Sequence, residues 1–185
     1  RSLNWNQEIL KSEFQKIITV PVTLENDAAI GGLGEALFGA GKGYKIVAFL
    51  TISTGVGGVR IVDGKIDANS LGFEPGHQII NSGQTLEQLV SGSGIEKRYQ
   101  KKPEDLKEAN LWQQVARNLS FGLNNVTVMW SPDIIVLGGS VMQSINIDEV
   151  NENLTQVLTV FPNPPIVVRS KLGDESGLLG ALSLI

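Results

Sequence analysis

The sequence predicts an α/β fold with a mixed sheet flanked by helices. Two nearly continuous apolar runs, 46–53 and 133–137, are typical of strands that are buried on both faces. Long stretches with apolar residues at helical spacing, such as 104–130, separate and follow them. Strands that alternate with helices indicate a sheet covered by helices. Because the 185 residues contain no linker and no internal repeat, we predict a single domain over residues 1–185.

The individual elements follow from local patterns. A helix is predicted over 5–18, a strand over 18–24, and then a helix over 28–38 whose small residues allow close packing on a sheet. Asp63-Gly64 is a strong two-residue turn signal, which indicates a hairpin over 58–66. Further predictions are helices from Thr85 and from near Gly94, a helix over 104–130 with Pro103 as a stop or a start, a helix over 148–161, a strand over 166–169 and a helix over 177–184.

Composition excludes several classes of protein. Hydrophobic residues make up 42% and charged residues 18%, which indicates a folded globular chain. The net charge of −4 argues against a nucleic-acid surface on this segment. No apolar run reaches the roughly 18 residues of a membrane span, and no signal peptide is visible. The absence of cysteine excludes disulfides and fits a reducing compartment, so we expect a cytoplasmic protein.

Asn26 and Asp27 lie between the predicted strand 18–24 and the predicted helix 28–38. Such a junction lies at the rim of an open α/β sheet, where ligands bind. Phosphoryl transfer to a hydroxyl needs a carboxylate that accepts the hydroxyl proton, which Asp27 would supply. The amide of Asn26 can donate to and accept from a sugar diol. Spacing alone favours the alternative, an N-cap role for Asp27, because Asn and Asp both prefer that position.

Two glycine-rich turns follow the predicted buried strands. The glycines of 53–58 would let backbone N–H groups approach phosphate oxygens, and a plain β-hairpin turn is the alternative. Gly138-Gly139-Ser140 is a candidate seat for a nucleotide base or ribose, or else a tight strand-to-helix turn. The stretch 39–42 is no Walker loop, because it lacks the spacing and the Ser or Thr after Lys42.

Two further side chains are candidates for binding sugar hydroxyls, and Glu87 is a further candidate site residue. Glu74 and His77 belong to a Glu-x-x-His pattern in a loop of small and polar residues. His77 is the only histidine of the chain, and a structural role is its alternative. Glu87 opens a predicted helix, where a stabilising first-turn carboxylate is the alternative. Zinc is disfavoured here, because the surrounding residues hold no cysteine and no second histidine.

Seven segments of the chain, taken in order, resemble the ROK family of sugar kinases and sugar-sensing repressors, of the actin-like ATPase (ribonuclease H-like) superfamily. The likeness covers almost the whole chain. The matching segments are Glu25-Asn26-Asp27-Ala28-Ala29 with Gly34-Glu35, Ser53-Thr54-Gly55-Val56-Gly57-Gly58, Asp63-Gly64-Lys65, Glu74-x-Gly76-His77, Leu86-Glu87 with Ser91-Gly92, Pro132-Asp133-Ile134-Ile135-Val136-Leu137-Gly138-Gly139, and Leu172-Gly173-Asp174 with Gly177-Leu178-Leu179-Gly180-Ala181.

The resemblance implies a role for each candidate residue. Asp27 would be the catalytic base toward the sugar hydroxyl, and the other sugar ligands would be Asn26, Glu74, His77 and Glu87. The nucleotide would meet the phosphate loop at Thr54, Gly55 and Gly57, and its adenosine side would meet Gly138 and Gly139. The resemblance also implies ATP, Mg²⁺, a hexose substrate and a homodimer.

Two departures from the family pattern accompany the resemblance. The family's N-terminal lobe carries an Asp-x-Gly-Gly-Thr phosphate loop that does not occur here, so we expect a C-terminal lobe that is inactive alone. Many members also carry a cysteine-rich zinc loop where this chain has 78–84, so no zinc is expected. We therefore expect the helix of Glu87 to be held by packing alone. Phe73 stands where a small residue is usual.

These expectations lead to one prediction of function and two alternatives. The full-length protein is predicted to phosphorylate a hexose hydroxyl with ATP, as a glucokinase, fructokinase or N-acetylhexosamine kinase does. The first alternative is the sugar-binding lobe of a ROK-type transcriptional repressor, preceded by a DNA-binding domain. The second is a degenerate lobe that serves dimerisation.

Overall fold

The computed structural model describes residues 7–185. Its strands in this range are β1 (Ile46–Ile52), β2 (Val56–Val62), β3 (Lys65–Ile66), β4 (Ile79–Asn81), β5 (Gln84–Thr85), β6 (Ile134–Gly138) and β7 (Ile166–Arg169). Its α-helices are α1 (Gln7–Ile17), α2 (Asp27–Phe38), α3 (Leu86–Val90), α4 (Gly92–Tyr99), α5 (Ala109–Trp130), α6 (Ile147–Val157) and α7 (Ser176–Leu182). The main sheet has the order β3-β2-β1-β6-β7, and β4 and β5 form a separate ribbon.

The central strand of the main sheet is β1. It pairs antiparallel with β2 and parallel with β6, and β6 pairs parallel with β7. All five residues of β6 are buried, as its apolar run predicts. The mixed sheet flanked by helices is therefore confirmed. Because β1 and β6 are parallel, their carboxyl ends meet at one edge, and Ser53 and Gly139 follow there.

Helices cover both faces of the sheet. Successive residues of a strand point to opposite faces, so β1 contributes to two cores. Leu50 packs in a large core under α3, α4, α5 and α6, together with Leu119 and Leu154. Phe49 packs in a smaller core under α2, together with Leu33.

Small residues let α2 pack closely on its neighbours, as its composition predicts. A Cβ on Gly32 would overlap Val59 of β2, and a Cβ on Gly34 would overlap the backbone oxygen of Ser176 in α7. From the other side, a Cβ on Gly180 would overlap the backbone oxygen of Ile30. The helix α2 is therefore packed closely between the sheet and α7.

Several predicted boundaries agree with the structure. The hairpin of β2 and β3 turns at Asp63 and Gly64, whose φ angles are 51° and 72°, as a two-residue turn with positive φ requires. The strand predicted over 166–169 coincides with β7. The helix predicted over 5–18 corresponds to α1, and its first two predicted residues lie outside the described range.

The strand predicted over 18–24 is wrong, because these residues form no strand. Val20 is 61% exposed, so the apolar run is not buried in a sheet. Pro21 also lacks the N–H group that a paired strand needs. Asn26 and Asp27 consequently follow an irregular segment, although they do precede a helix at the sheet rim.

Two helices are shorter than predicted. Residues 104–108 do not belong to α5, because Pro103–Asp105 form a separate 3₁₀ turn and α5 begins at Ala109. The last helical residue of α6 is Val157, and the prolines at 162, 164 and 165 follow. Within residues 7–185, no helix combines the length and the apolarity needed to cross a bilayer.

Candidate functional site

The start of α2 settles which side chain caps it. Asn26 is the N-cap, and its Oδ1 accepts a hydrogen bond from Ala29 N at 3.1 Å. Asp27 is the first helical residue, so its N-cap alternative is wrong. The Asp27 carboxylate accepts from Ala28 N at 2.8 Å through Oδ1, and the residue is exposed. The sheet edge thus presents a carboxylate that is not the N-cap and that bonds to the first turn of α2 through one oxygen.

Residues 53–58, hereafter the glycine turn, comprise the connection from β1 to β2 and the first three residues of β2, as the hairpin alternative predicts. Ser53 N donates to Gly55 O at 2.9 Å. The turn also rests on the start of α4, because Gly92 N donates to Ser53 O at 2.7 Å and Ser93 N donates to Thr54 O at 3.2 Å. These bonds fix the turn, and Thr54 stays exposed at its tip.

Glu87 is the second residue of α3 and contacts the glycine turn. Its Oε2 accepts a hydrogen bond from Val56 N at 2.8 Å. The start of α3 is also held by hydrogen bonds. Leu86 N donates to Gln78 O at 2.9 Å, and Thr85 forms a capping box with Gln88. The expectation that packing alone holds this helix is therefore wrong.

One cleft collects most of the predicted sugar-binding and phosphate-binding residues. This first cleft has a volume of about 440 Å³ and lies between α2, the glycine turn and α3. Among residues 7–185, its lining includes three carboxylates and no basic side chain. The predicted site residues that line it are Asn26, Asp27, Thr54, Gly55, Gly57, Glu74 and Glu87.

His77 is the one predicted sugar ligand that the structure does not bring to the first cleft. It ends a short 3₁₀ turn, Pro75–His77, and is exposed, whereas Glu74 lies just before that turn and lines the cleft. Gln78 follows and fastens the turn: its Nε2 donates to Pro75 O at 2.8 Å, and its Oε1 accepts from Asn125 Nδ2 at 2.9 Å. The loop that carries Glu74 is thereby tied to α5.

A second cleft of about 670 Å³ adjoins the first and shares Thr51 and Ser53 with it. Gly138 and Gly139 line it where β6 ends. Gly139 has a φ of 96°, and a Cβ there would overlap Ile52 O, so this turn needs glycine. The predicted adenosine-side residues thus lie in a different cleft from Asp27, and the two clefts meet at Ser53.

Sequence reasoning missed several residues of the second cleft. Arg169 lines it, and its guanidinium donates to the backbone oxygens of Met142 and Ile145. Ser170 and Asp174 line the same wall. An arginine at the end of a predicted strand was the available signal for Arg169, but which carbonyls it would reach depends on tertiary packing.

The chain is similar in sequence to several known proteins. The ROK family model matches residues 1–185. An uncharacterised protein of Clostridium perfringens is 32% identical, over 95% of this chain and 65% of its own length. The xylose repressor of Bacillus subtilis is 28% identical, over 98% of this chain and 55% of its own length. The chain therefore spans less than two thirds of either relative.

A solved structure agrees with the sequence comparisons. A ROK family glucokinase from Streptomyces griseus, crystallised with glucose and AMPPNP, has a TM-score of 0.80 and 25% identity, over 98% of this chain and 73% of that one. Homologues of the chain include both sugar kinases, namely glucokinases and fructokinases, and a sugar repressor. The actin-like ATPase fold is thus confirmed, and the chain belongs to the ROK family.

Proposed function

We propose that the full-length protein transfers the γ-phosphoryl group of ATP to a hydroxyl of a hexose. The observation that carries the proposal is the Asp27 carboxylate, which lines the first cleft together with the glycine turn and does not serve as a helix cap. A repressor would need a sugar pocket but no base. The kinases among the homologues support the same reaction class.

The hexose would lie in the first cleft, where polar groups remain for its hydroxyls. Asn26 uses its Oδ1 as the helix cap, so its Nδ2 is the atom that would donate to a sugar oxygen. Glu87 uses Oε2 to hold Val56 N, so its Oε1 would accept from a sugar hydroxyl. Glu74 would accept from another hydroxyl, because it lines the same cleft. His77 would reach the sugar only after a movement of its turn.

Asp27 would act as the base in an in-line transfer. The reacting hydroxyl would hydrogen-bond to its carboxylate and lose the proton to it as the oxygen bonds to the γ-phosphorus and the bond to ADP breaks. The hydrogen bond from Ala28 N holds the carboxylate at the first turn of α2. Positioning of this kind is the main contribution that a protein makes to phosphoryl transfer.

ATP would occupy the second cleft and reach toward the first. Its adenosine side would lie at Gly138 and Gly139, and its phosphates would approach the backbone at Thr54, Gly55 and Gly57. Mg²⁺ would neutralise phosphate charge when bound. Residues 7–185 contain no cluster of three or more His, Asp or Glu side chains that could hold a metal. Mg²⁺ usually takes one or two carboxylates together with substrate phosphates, so the ATP phosphates would supply several of its ligands.

A coupled ADP-release assay on the full-length protein tests the proposal with a panel of hexoses and N-acetylhexosamines. Asp27→Asn is expected to lower kcat about 10²–10⁴-fold, the usual contribution of a positioned acid or base, while hexose affinity changes little. Glu25→Gln is the matched control, because Glu25 is exposed and is not among the cleft residues, and glutamine keeps a side-chain oxygen that can accept from Asn26 N. Near-normal turnover of Asp27→Asn would remove the proposed base.

A sugar-sensing repressor stays the second candidate, because a xylose repressor matches 98% of this chain. Hexose binding by the folded full-length protein, with no ADP release for any sugar, would favour this candidate. Specific DNA binding that changes with sugar would then establish it. Homodimerisation also stays a prediction, and sedimentation of the full-length protein would test it.

A further inference from the structure

Glu35 is a buried carboxylate that the proposed reaction does not use. It lies in α2, is 0% exposed and is enclosed by backbone N–H groups. Its Oε2 accepts from Ala40 N at 2.8 Å and from Lys171 N at 3.1 Å, and its Oε1 accepts from Leu172 N at 2.7 Å. One side chain thus joins two loops that are far apart in the sequence.

A fully buried carboxylate is costly unless hydrogen bonds replace its water, so this arrangement needs a reason. The three backbone donors supply the bonds. An apolar residue in this Gly- and Ala-rich helix would have filled the space without that requirement, but it could not hold a loop by its N–H groups. The property that only the carboxylate provides is a fixed position for residues 171 and 172.

That position matters because the same segment forms one wall of the second cleft. Ser170, Gly173 and Asp174 line the cleft on either side of the two bonded residues. Ser170 N is itself anchored, donating to Leu137 O of β6 at 2.8 Å. The wall is therefore fastened to the sheet at one point and to α2 at the next.

Asp27 lies on the same helix, two turns before Glu35, or about 12 Å along the axis. We infer that Glu35 is a positioning residue, which holds the wall of the nucleotide cleft at a fixed distance from the base. The inference rests on the proposed function, in which the second cleft receives ATP. A purely structural Glu35 would instead stabilise both clefts equally.

The test is the Glu35→Gln variant of the full-length protein, which keeps the shape of the side chain. The amide nitrogen would face a backbone N–H group and cannot accept from it. Loss of such a bond would let the wall leave its position, so only part of the protein would remain competent to bind the nucleotide. We expect AMPPNP affinity to fall about tenfold, in proportion to that fraction, with the affinity for hexose probes (glucose, mannose and fructose) staying within about twofold, both measured by calorimetry.

Glu175→Gln is the matched control, because Glu175 is exposed, close to the same wall and not among the cleft residues. It should bind both ligands like the unmodified protein. If Glu35→Gln does not fold, Glu35→Asp is the second variant, because its shorter side chain keeps the charge and withdraws it from the loops. It should likewise lower AMPPNP affinity more than hexose affinity. Equal losses for nucleotide and hexose, or no loss for either, would overturn the inference. An unmodified protein that binds hexose but no AMPPNP would overturn the proposed kinase as well.

Discussion

Replacing Glu87 by alanine is expected to loosen the glycine turn and to weaken hexose binding together. Its Oε2 accepts from Val56 N at 2.8 Å, and Val56 is only 3% exposed. Without the carboxylate, that N–H group would lose its acceptor, and water in the first cleft, which Val56 lines, would replace it only in part. A hydrogen bond to a charged group contributes about 1.5–3 kcal/mol. We therefore expect Glu87→Ala to lose about 1.5–2 kcal/mol of unfolding free energy.

Glu87→Gln separates the two roles of this side chain. Its amide oxygen can still accept from Val56 N, and the change from a charged to a neutral acceptor should cost about 1 kcal/mol. The second oxygen becomes an NH₂ group, which cannot accept a hydrogen bond from a sugar hydroxyl. We expect hexose affinity to fall about tenfold, whereas stability falls less than in Glu87→Ala.

Urea denaturation and calorimetry with hexose measure both quantities on the full-length protein. Glu175→Ala serves as a control for removal of an exposed carboxylate, because the Glu175 side chain does not cap the helix it precedes, and it should change stability by less than about 0.5 kcal/mol. If Glu87→Ala also costs less than about 0.5 kcal/mol, the contact with Val56 does not stabilise the turn. If Glu87→Gln binds hexose normally, Glu87 is a structural residue and not a sugar ligand.

Two other substitutions probe the edges of the clefts. Gly139→Ala would push a methyl group into Ile52 O at a φ of 96°. It should lower AMPPNP affinity more than hexose affinity, as measured by calorimetry. Normal nucleotide binding by this variant would mean that the nucleotide does not bind at Gly139. Gln78→Leu removes hydrogen bonds to Pro75 O and Asn125, so the Glu74 loop should loosen and the hexose KM should rise about tenfold with a smaller change in kcat. An unchanged KM would mean that the loop is held by its backbone alone.

The local sequence pattern was sufficient to predict an element wherever one strong physical preference acted. The apolar runs of β1 and β6 had to be buried, and Asp63-Gly64 had to turn the chain. The run over 18–24 failed because apolar β-branched residues favour a strand only when a neighbouring strand is present to pair with it. The early start predicted for α5 failed because helical spacing continued through a 3₁₀ turn.

The residues of the candidate site could likewise be identified from the sequence, whereas their contacts could not. Asn26 and Asp27 were identifiable as a pair, but both favour the N-cap, and only the backbone geometry assigns that task to Asn26 and leaves Asp27 in the cleft. Glu87 was identifiable as a polar residue opening a helix, yet its contact with Val56 joins residues 31 positions apart. His77 matched the pattern, and its turn places it outside the first cleft.

Hydrophobic periodicity and local residue preferences were enough to predict the α/β class, the buried strands and the two glycine-rich turns. The ordered motifs of the chain resemble the ROK family, and the family model confirms that membership. The tertiary structure was needed to show that the predicted ligands divide between two clefts meeting at Ser53, and that Glu35 holds the wall of one of them. Those arrangements depend on how parallel strands and the loops after them come together, and separation along the chain does not fix distance in space.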